Sequence, residues 1–418
     1  MVLRKLSKRL SAFLIILISS ILIGYLLLVF VYCIPQRFLL VNLANSVPVL
    51  ERDDLEDIIF GYPSSKLDVF TDGAMLNIAL HTIKENPFKR AAACYQYIYS
   101  EKSPAQGFIA YFVPEEPYGD LAYFWYWHGF LVFLKPLLLF FNYSDIRLLN
   151  CVLQTSLIAL TVYSLTKRKL TRYIPALMIT YLFLMPLTLP LSMQYSSVFY
   201  VGWGSLACLM LSGLTPSDER IFSLFLMTGI LTSYLDLLTY PIFTLGIPLV
   251  GVLILCDTSE QKRKAGSFLG CILSWAFGYV GMWVGKILIS FPFYGIYAFQ
   301  KFYEQIRYRS LEGAANEGVT FDDAITSNIF MYKNRLFLML LIAYTIAVAG
   351  YFVFLYTRGR KPFISVKLLP LFAVVILMPF LWYMVAAEHS NLHSFMTYKA
   401  LTVAVFGYCA GLMAVIQA

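Results

Sequence analysis

Long apolar runs, interrupted by short polar or basic turns, account for most of this chain. Ser11 to Cys33 is one such run, preceded by Arg4, Lys5, Lys8 and Arg9, a layout that serves a signal anchor or a signal peptide. Its length, with no small-residue cleavage site after it, favours the anchor. Further runs cover about residues 121 to 141, 146 to 166, 174 to 191, 198 to 214, 221 to 240, 241 to 256, 266 to 290, 336 to 357, 366 to 387 and 398 to 418. Crossing a bilayer takes about 20 apolar residues per helix, and an open sheet would strand backbone donors and acceptors in lipid. The pattern therefore predicts an all-α, polytopic transmembrane bundle of about 10–11 spans.

Between the anchor and the second run lies a polar stretch, Ile34 to Leu121. Within it Asp72 opens an amphipathic segment, Thr71-Asp72-Gly73-Ala74-Met75-Leu76-Asn77-Ile78-Ala79-Leu80. The chain divides as 1–33 anchor, 34–121 first extracytoplasmic loop with juxtamembrane helices, 122–290 central membrane module, 291–335 outer amphipathic loop and 336–418 C-terminal helices.

Orientation follows from Lys and Arg in short loops. The clusters are Arg4 to Arg9, Lys167-Arg168-Lys169 with Arg172, Lys262-Arg263-Lys264, and Arg358 with Arg360 and Lys361. They place the N-terminus in the cytoplasm, and the loops around Ser192 to Ser197, Asp236 to Pro241, Phe291 to Arg335 and Glu388 to Thr397 outside. The runs at 121–141 and 146–166 cannot then both cross, and Lys135-Pro136 makes the first the suspect, as a re-entrant or interfacial helix.

Composition agrees: 59% hydrophobic, 17% aromatic and 13% charged residues exclude a soluble domain of this size. The net charge of +8 resides in the clusters named above, so it speaks of anionic lipid rather than nucleic acid. Seven cysteines show no paired or metal-ligand spacing and read as small core residues, with a Cys33 to Cys94 bridge as the one alternative. Predicted inner loops are too short for a nucleotide-binding domain. The expected setting is a bacterial cytoplasmic membrane with polar groups gathered on its outer face, where a group-transfer enzyme needs a donor carried in the membrane.

In order of features the first 200 or so residues resemble the C-type integral-membrane glycosyltransferases. That superfamily has an acidic residue opening a juxtamembrane helix soon after the first span, as Asp72 does before Gly73 to Ile83. A break, an arginine opening the next helix and a basic turn follow, similar to Trp127-His128-Gly129-Phe130, Asp145-Ile146-Arg147-Leu148 and Thr166-Lys167-Arg168-Lys169. Two departures stand out: Gly73 where a second carboxylate is common, and His128-Gly129 where a double proline is usual. The resemblance implies an inverting glycosyltransferase that moves a sugar from a polyprenyl-phosphate carrier to an envelope glycan, glycolipid or protein, in cell-envelope polysaccharide synthesis. Carrier, acceptor and membrane lipids are the partners it implies.

Such a reaction needs a general base, since phosphate is already a good leaving group. Asp72 is the catalytic candidate; the alternative is that it merely caps its helix. Substrate-binding candidates are His128, Asp236, Glu388, His389, His393 and Lys399. His389 and His393 share a face if helical, and an ionisable Asp236 at the edge of an apolar run is costly unless used. No metal-ligand set emerges: Glu388, His389 and His393 alone are weak ligands, which leaves room for a divalent cation without requiring one. Phe291 to Arg335 interleaves aromatics with Lys301, Arg307 and Arg309, as an interfacial helix would. Two other classes fit the same layout: a transporter or flippase of lipid-linked sugars, and a glycan polymerase or ligase.

Overall fold

Apolar runs without a period-two alternation fold here as helices, and about 75% of the chain is helical with almost no strand. The computed structural model describes residues 2–53, 58–99, 102–113, 119–257 and 264–417; Asp54, Glu56, Asp57, Lys262 and Arg263 lie outside the described residues, as do the side chains of Arg4, Lys5, Lys8 and Lys264. The first run is α1 (Val2–Tyr32). Short helices follow: α2 (Leu40–Ala44), α3 (Val47–Arg52), α4 (Val69–Leu80), α5 (Pro87–Ala93), α6 (Pro104–Ala110) and α7 (Leu131–Leu137), with β1 (Gln96–Ile98) paired antiparallel to β2 (Gly119–Leu121). Then come α8 (Tyr143–Lys167), α9 (Ile174–Phe183), α10 (Met193–Leu211), α11 (Arg220–Leu235), α12 (Ile242–Asp257) and α13 (Lys264–Tyr294). The helices α14 (Ile296–Arg309), α15 (Leu311–Asn316) and α16 (Phe321–Phe330) lead to α17 (Arg335–Thr357), α18 (Leu369–Val385), α19 (Ala387–Leu392), α20 (Ser394–Thr397) and α21 (Leu401–Val415). A two-residue ladder joins β3 (Phe363–Ile364) to β4 (Ile416–Gln417).

Among the described residues five helical segments are long and apolar enough to cross a membrane: Arg9–Tyr32, Tyr143–Lys167, Gly266–Tyr294, Arg335–Thr357 and Ser394–Val415. Three more, Arg220–Leu235, Ile242–Asp257 and Leu369–Val385, are apolar but shorter. Apolar side chains on the outer flanks of α1 and α17, among them Ile15, Phe30, Leu338 and Ile346, face away from the protein. At the other extreme, every residue of α12 from Phe243 to Cys256 is buried, so this helix is the axis of the core.

Hydrogen bonds sort the helix ends into two groups. At one end Arg9 pairs with Glu219 at 3.0 Å, Arg168 donates to the carbonyls of Leu209, Met210 and Leu214, and Arg172 bonds Asp257 and the Ile416 carbonyl. Arg168 and Arg172 thus close the carbonyl ends of α10 and α21, a favourable pairing of cations with helix C-termini, while Arg9 of α1 pairs with the carboxylate just ahead of α11. At the other end lie the first loop, the starts of α8, α10, α17 and α21, and the ends of α9, α11 and α18. Asn334 there bonds the Gly61 carbonyl, and Tyr332 the Phe183 carbonyl.

The run at 121–141 is not a crossing. Its helix, α7, has seven residues with Pro136 inside, and it packs on α1 and α4 at the same end as the first loop. Helix α8 begins from that end too. Its start is set by a reciprocal cap in which Asn142 accepts from Ser144 N and Asp145 N while Asp145 accepts from Asn142 N. The difficulty over residues 121–166 disappears, because only α8 travels to the basic end.

Candidate functional site

The start of α4 is capped by Asp68, whose carboxylate accepts from Thr71 N at 2.9 Å; the cap is therefore four residues earlier than Asp72. That register puts Asp72 one turn in, wholly buried, against the start of α10. Its oxygens accept from Met193 N at 2.8 Å, from Gln194 N at 3.0 Å and from the Tyr143 hydroxyl. Asp72 thus serves the unpaired N–H groups at the head of a different helix, a carboxylate at the positive end of a helix dipole. Tyr143 in turn accepts from Arg147 Nη2 at 2.9 Å, and Arg147 pairs with Asp53. Tyr143 and Arg147 lie one turn apart on α8, so the capped start of that helix aims both at Asp72.

This geometry bears on the base assignment. Both Asp72 oxygens hold donors, and neither is open to an incoming alcohol. Burial pushes its carboxyl up to about 6 in spite of the bonds from Tyr143, Gln194 and Met193. The role that the contacts describe is a brace between the first loop and the bundle.

The two departures from the superfamily pattern have local causes. A Cβ on Gly73 would lie 2.4 Å from Ala105 Cα and Cβ, so the close contact of α4 with α6 leaves no side chain there, let alone a carboxylate. Gly129 N donates to the Tyr234 carbonyl at 2.8 Å, and a Cβ on it would meet the Tyr234 ring at 2.3 Å. Proline has no N–H for that bond, and His128, at φ 58°, holds a backbone angle that proline cannot reach.

From Asp72 the polar network runs outward. Asp68 N donates to Ser192 Oγ at 2.9 Å, and Gln194 Nε2 to Asp236 Oδ1 at 3.1 Å. Asp236 caps the turn after α11, where Oδ1 also takes Thr239 N at 2.9 Å. Its Oδ2 is buried with no partner, and so are Asp68 Oδ2 and Gln194 Oε1. Burial, aided by the neighbouring Asp72 charge, raises Asp68 to about 7; burial against the Thr239 bonds raises Asp236 to about 6. Lys399, fully buried, lies 4.0 Å from the Tyr195 ring centroid and donates to the Tyr398 hydroxyl at 2.6 Å, with Asp68 the carboxylate whose field it shares.

The remaining predicted residues divide. His389 donates Nε2–H to the Leu238 carbonyl at 2.7 Å, and its ring centroid lies 4.7 Å from that of His393. Burial holds both neutral: His389 is well below its ordinary value, and His393 is near 4, with Arg309 adding to the effect. Glu388 is pushed up by burial, and Arg309 works against that shift. His128 stands apart, donating Nδ1–H to its own neighbour's carbonyl, Tyr126 O at 2.9 Å, with a buried and unpartnered Nε2. Glu388, His389, His393 and Asp236 thus share one quarter around Arg309 and Leu238, Lys399 joins Asp68, and His128 joins neither. Among the described residues no cluster of three or more His, Cys, Asp or Glu side chains is placed to hold a metal ion.

Beside that quarter is a cavity of about 380 Å³ between α13, α14 and the end of α18. Trp125, Tyr279, Trp283, Phe302 and Trp382 wall it, Leu238 floors it, and Arg309 is the single formal charge on its lining. The Arg309 guanidinium lies 5.5 Å from the Tyr126 ring centroid, and Tyr126 also sits within the field of Asp236. None of the seven residues picked from sequence lines this cavity, although Leu238 and Ala386 on its wall flank Asp236 and Glu388. Arg309 was one cation among several in an amphipathic stretch, and nothing in its spacing separates it from Lys301 or Arg307. No family model, curated protein or solved structure matches this chain.

Proposed function

We propose that this is a membrane-embedded transferase that draws a sugar from a lipid-phosphate carrier and passes it to a hydroxyl acceptor at the polar end of its bundle. The reading makes the five long apolar helices, together with the further helices α9 to α12 and α18, a polytopic bundle, with the 34–142 region as its outer, extracytoplasmic cap. The observation that carries it is the cavity beside Leu238. A trough of about 380 Å³ with aromatic and aliphatic walls and one arginine accommodates an isoprenoid or acyl chain whose phosphate pairs with Arg309. Its open side favours a lipid occupant, because Val280, Val284, Ile306 and Val385 are exposed on the apolar flank of the helices.

In this reading the base is Asp236 rather than Asp72. Asp236 keeps an unpartnered oxygen, buried behind the turn that contributes Leu238 to the cavity wall, so a movement of that turn would bring Oδ2 to the acceptor; burial raises its carboxyl to about 6. The acceptor hydroxyl attacks the anomeric carbon, its proton passes to Asp236 Oδ2, and the carrier phosphate departs toward Arg309, whose charge stabilises it. The neutral His389 fixes the turn through its bond to the Leu238 carbonyl, with the His393 ring beside it, and neither competes for the phosphate.

The test supplies radiolabelled polyprenyl-phosphate sugars to protein purified into nanodiscs. Transfer to a soluble glycan or lipid acceptor is expected, with Arg309→Gln raising KM for the carrier at least about tenfold and Asp236→Asn removing turnover. Absence of transfer with every carrier, together with protein-dependent movement of the lipid between leaflets, would replace this reading with a flippase.

A further inference from the structure

Where the first loop meets α1 and α13, three cations gather, none of them in an ion pair with a carboxylate among the described residues. Lys135 on α7 and Lys286 on α13 are each 1% exposed, and Arg90 on α5 is half-buried. Lys286 Nζ is accounted for: it donates to the Ala92 carbonyl at 2.9 Å and the Ala91 carbonyl at 3.4 Å, closing the end of α5, and lies 3.9 Å from Cys94 Sγ. Lys135 is not. Its ammonium makes no hydrogen bond among the described residues and rests 4.9 Å from the Tyr32 ring centroid. Arg90 lies 5.1 Å from the same centroid, using Nη1 and Nη2 on the Tyr32 and His81 carbonyls. Its Nε and the Tyr32 hydroxyl are buried with no oxygen or nitrogen partner.

Among the described residues the nearby carboxylates hold other partners: Asp120 pairs with His81 at 2.7 Å, and Glu85 with Lys89 at 2.7 Å through Oε1, its Oε2 being buried without a partner. Buried charges are normally paired, and beside the Tyr32 ring two cationic groups, the Lys135 ammonium and the Arg90 Nε–H, are donors without an acceptor among the described residues, while the Tyr32 hydroxyl has only the Cys94 sulfur near it. Their shared want is an acceptor with negative charge. Burial and the Arg90 charge hold the Lys135 amine down at about 7 while no such partner is present.

We infer that Lys135, Arg90 and Tyr32 form a phosphate-binding site at the junction of α1, α5 and α7, with Lys286 supplying positive field behind Cys94. The site lies apart from the Arg309 cavity and does not depend on the transferase reading. The ligand is a phosphate group, free or carried as a lipid headgroup, reaching the site past the half-exposed Arg90.

Titration calorimetry on the full chain in neutral-lipid nanodiscs tests it with two probes, inorganic phosphate added to solution and phosphatidic acid mixed into the disc. One equivalent of one probe should bind, and which one binds separates a free phosphate from a lipid headgroup. Lys135→Met should weaken that binding at least about tenfold, the loss of one charge-assisted contact, while Lys135→Arg should largely retain it. If Lys135→Met does not fold, Tyr32→Phe carries the same comparison with a smaller loss. Equal affinity in wild type and Lys135→Met, or no binding of either probe, overturns the site. So does a higher melting temperature for Lys135→Met with no phosphate response in wild type, because Lys135 is then only an unpaired buried amine.

Discussion

Replacing Asp72 by Asn separates a brace from a base, and the structure sets the size of the effect. The carboxylate accepts three hydrogen bonds, with Tyr143 and Met193 N on Oδ2 and Gln194 N on Oδ1. An amide has one accepting oxygen. Placed at the Oδ2 position, it keeps Tyr143 and Met193 but turns an NH2 group toward Gln194 N–H, losing that bond. A buried donor left without an acceptor costs about 1–3 kcal/mol, so Asp72→Asn should destabilise by about 1–3 kcal/mol. Tyr143→Phe should cost about 1.5–3 kcal/mol, because it also leaves Arg147 Nη2 without its acceptor. The two residues touch, so the double variant should be less unstable than the sum by about 1–3 kcal/mol. Denaturant unfolding in a fixed detergent, followed by tryptophan fluorescence, measures all four corners of the cycle. Stability of Asp72→Asn within about 0.5 kcal/mol of wild type, or additivity within about 0.5 kcal/mol, refutes the brace. A variant that kept full stability and lost only sugar transfer would return Asp72 to the catalytic role that its sequence position suggests.

The pH dependence of stability has a defined sign. Asp68 at about 7 and Asp72 and Asp236 at about 6 bind protons more tightly folded than in an unfolded chain, where Asp titrates near ~4. Their contribution is present in full below that value and is lost as the pH rises through 6 to 7. Unfolding midpoints measured from pH 4.5 to 8 should therefore fall with rising pH, less steeply above pH 6 in Asp68→Asn; an Asp68→Asn slope equal to that of wild type contradicts the assignment. Gly73→Ala forces a Cβ to within 2.4 Å of Ala105 Cα, backbone that cannot turn aside, and should lower stability by about 1–3 kcal/mol in the same denaturant assay. An unchanged midpoint would mean that α4 and α6 are not in close contact.

The helices were legible because an apolar run longer than a few turns has one backbone solution, and the bounds of α8, α12, α13 and α17 lie within a few residues of those read from composition. Residues 121–141 misled for a physical reason. Trp127, Leu131 and Leu134 are apolar to fill a protein interior, where Trp127 donates to the Met282 carbonyl at 2.7 Å, and composition does not distinguish that burial from contact with lipid. Only Lys135 and Pro136 gave warning. The loops around Ser192, Asp236 and Glu388 to Lys399 were expected on one face with the first loop, and hydrogen bonds do join them, through Asp72 to Gln194, Gln194 to Asp236 and Leu238 to His389.

What did not follow from sequence is which carboxylate has a free oxygen. An aspartate ahead of an apolar run has the same appearance whether it waits for a substrate or holds two helices together, because its partners are chosen by tertiary closure: Tyr143, Met193 and Gln194 lie 71, 121 and 122 residues away. The discriminating quantity is how the donors are shared between the two oxygens. Each carboxylate has three, but on Asp72 they occupy both oxygens and hold the heads of two helices, whereas on Asp236 all three, from Gln194 and Thr239, fall on Oδ1 and leave Oδ2 empty. A group that gains and loses a proton during turnover changes the strength of every bond it holds, so a fold whose helix ends hang on that group would loosen with each cycle. Under the proposed transfer reaction the proton would therefore be taken by the carboxylate with an idle oxygen, Asp236, and not by the one that ties helix ends together, Asp72.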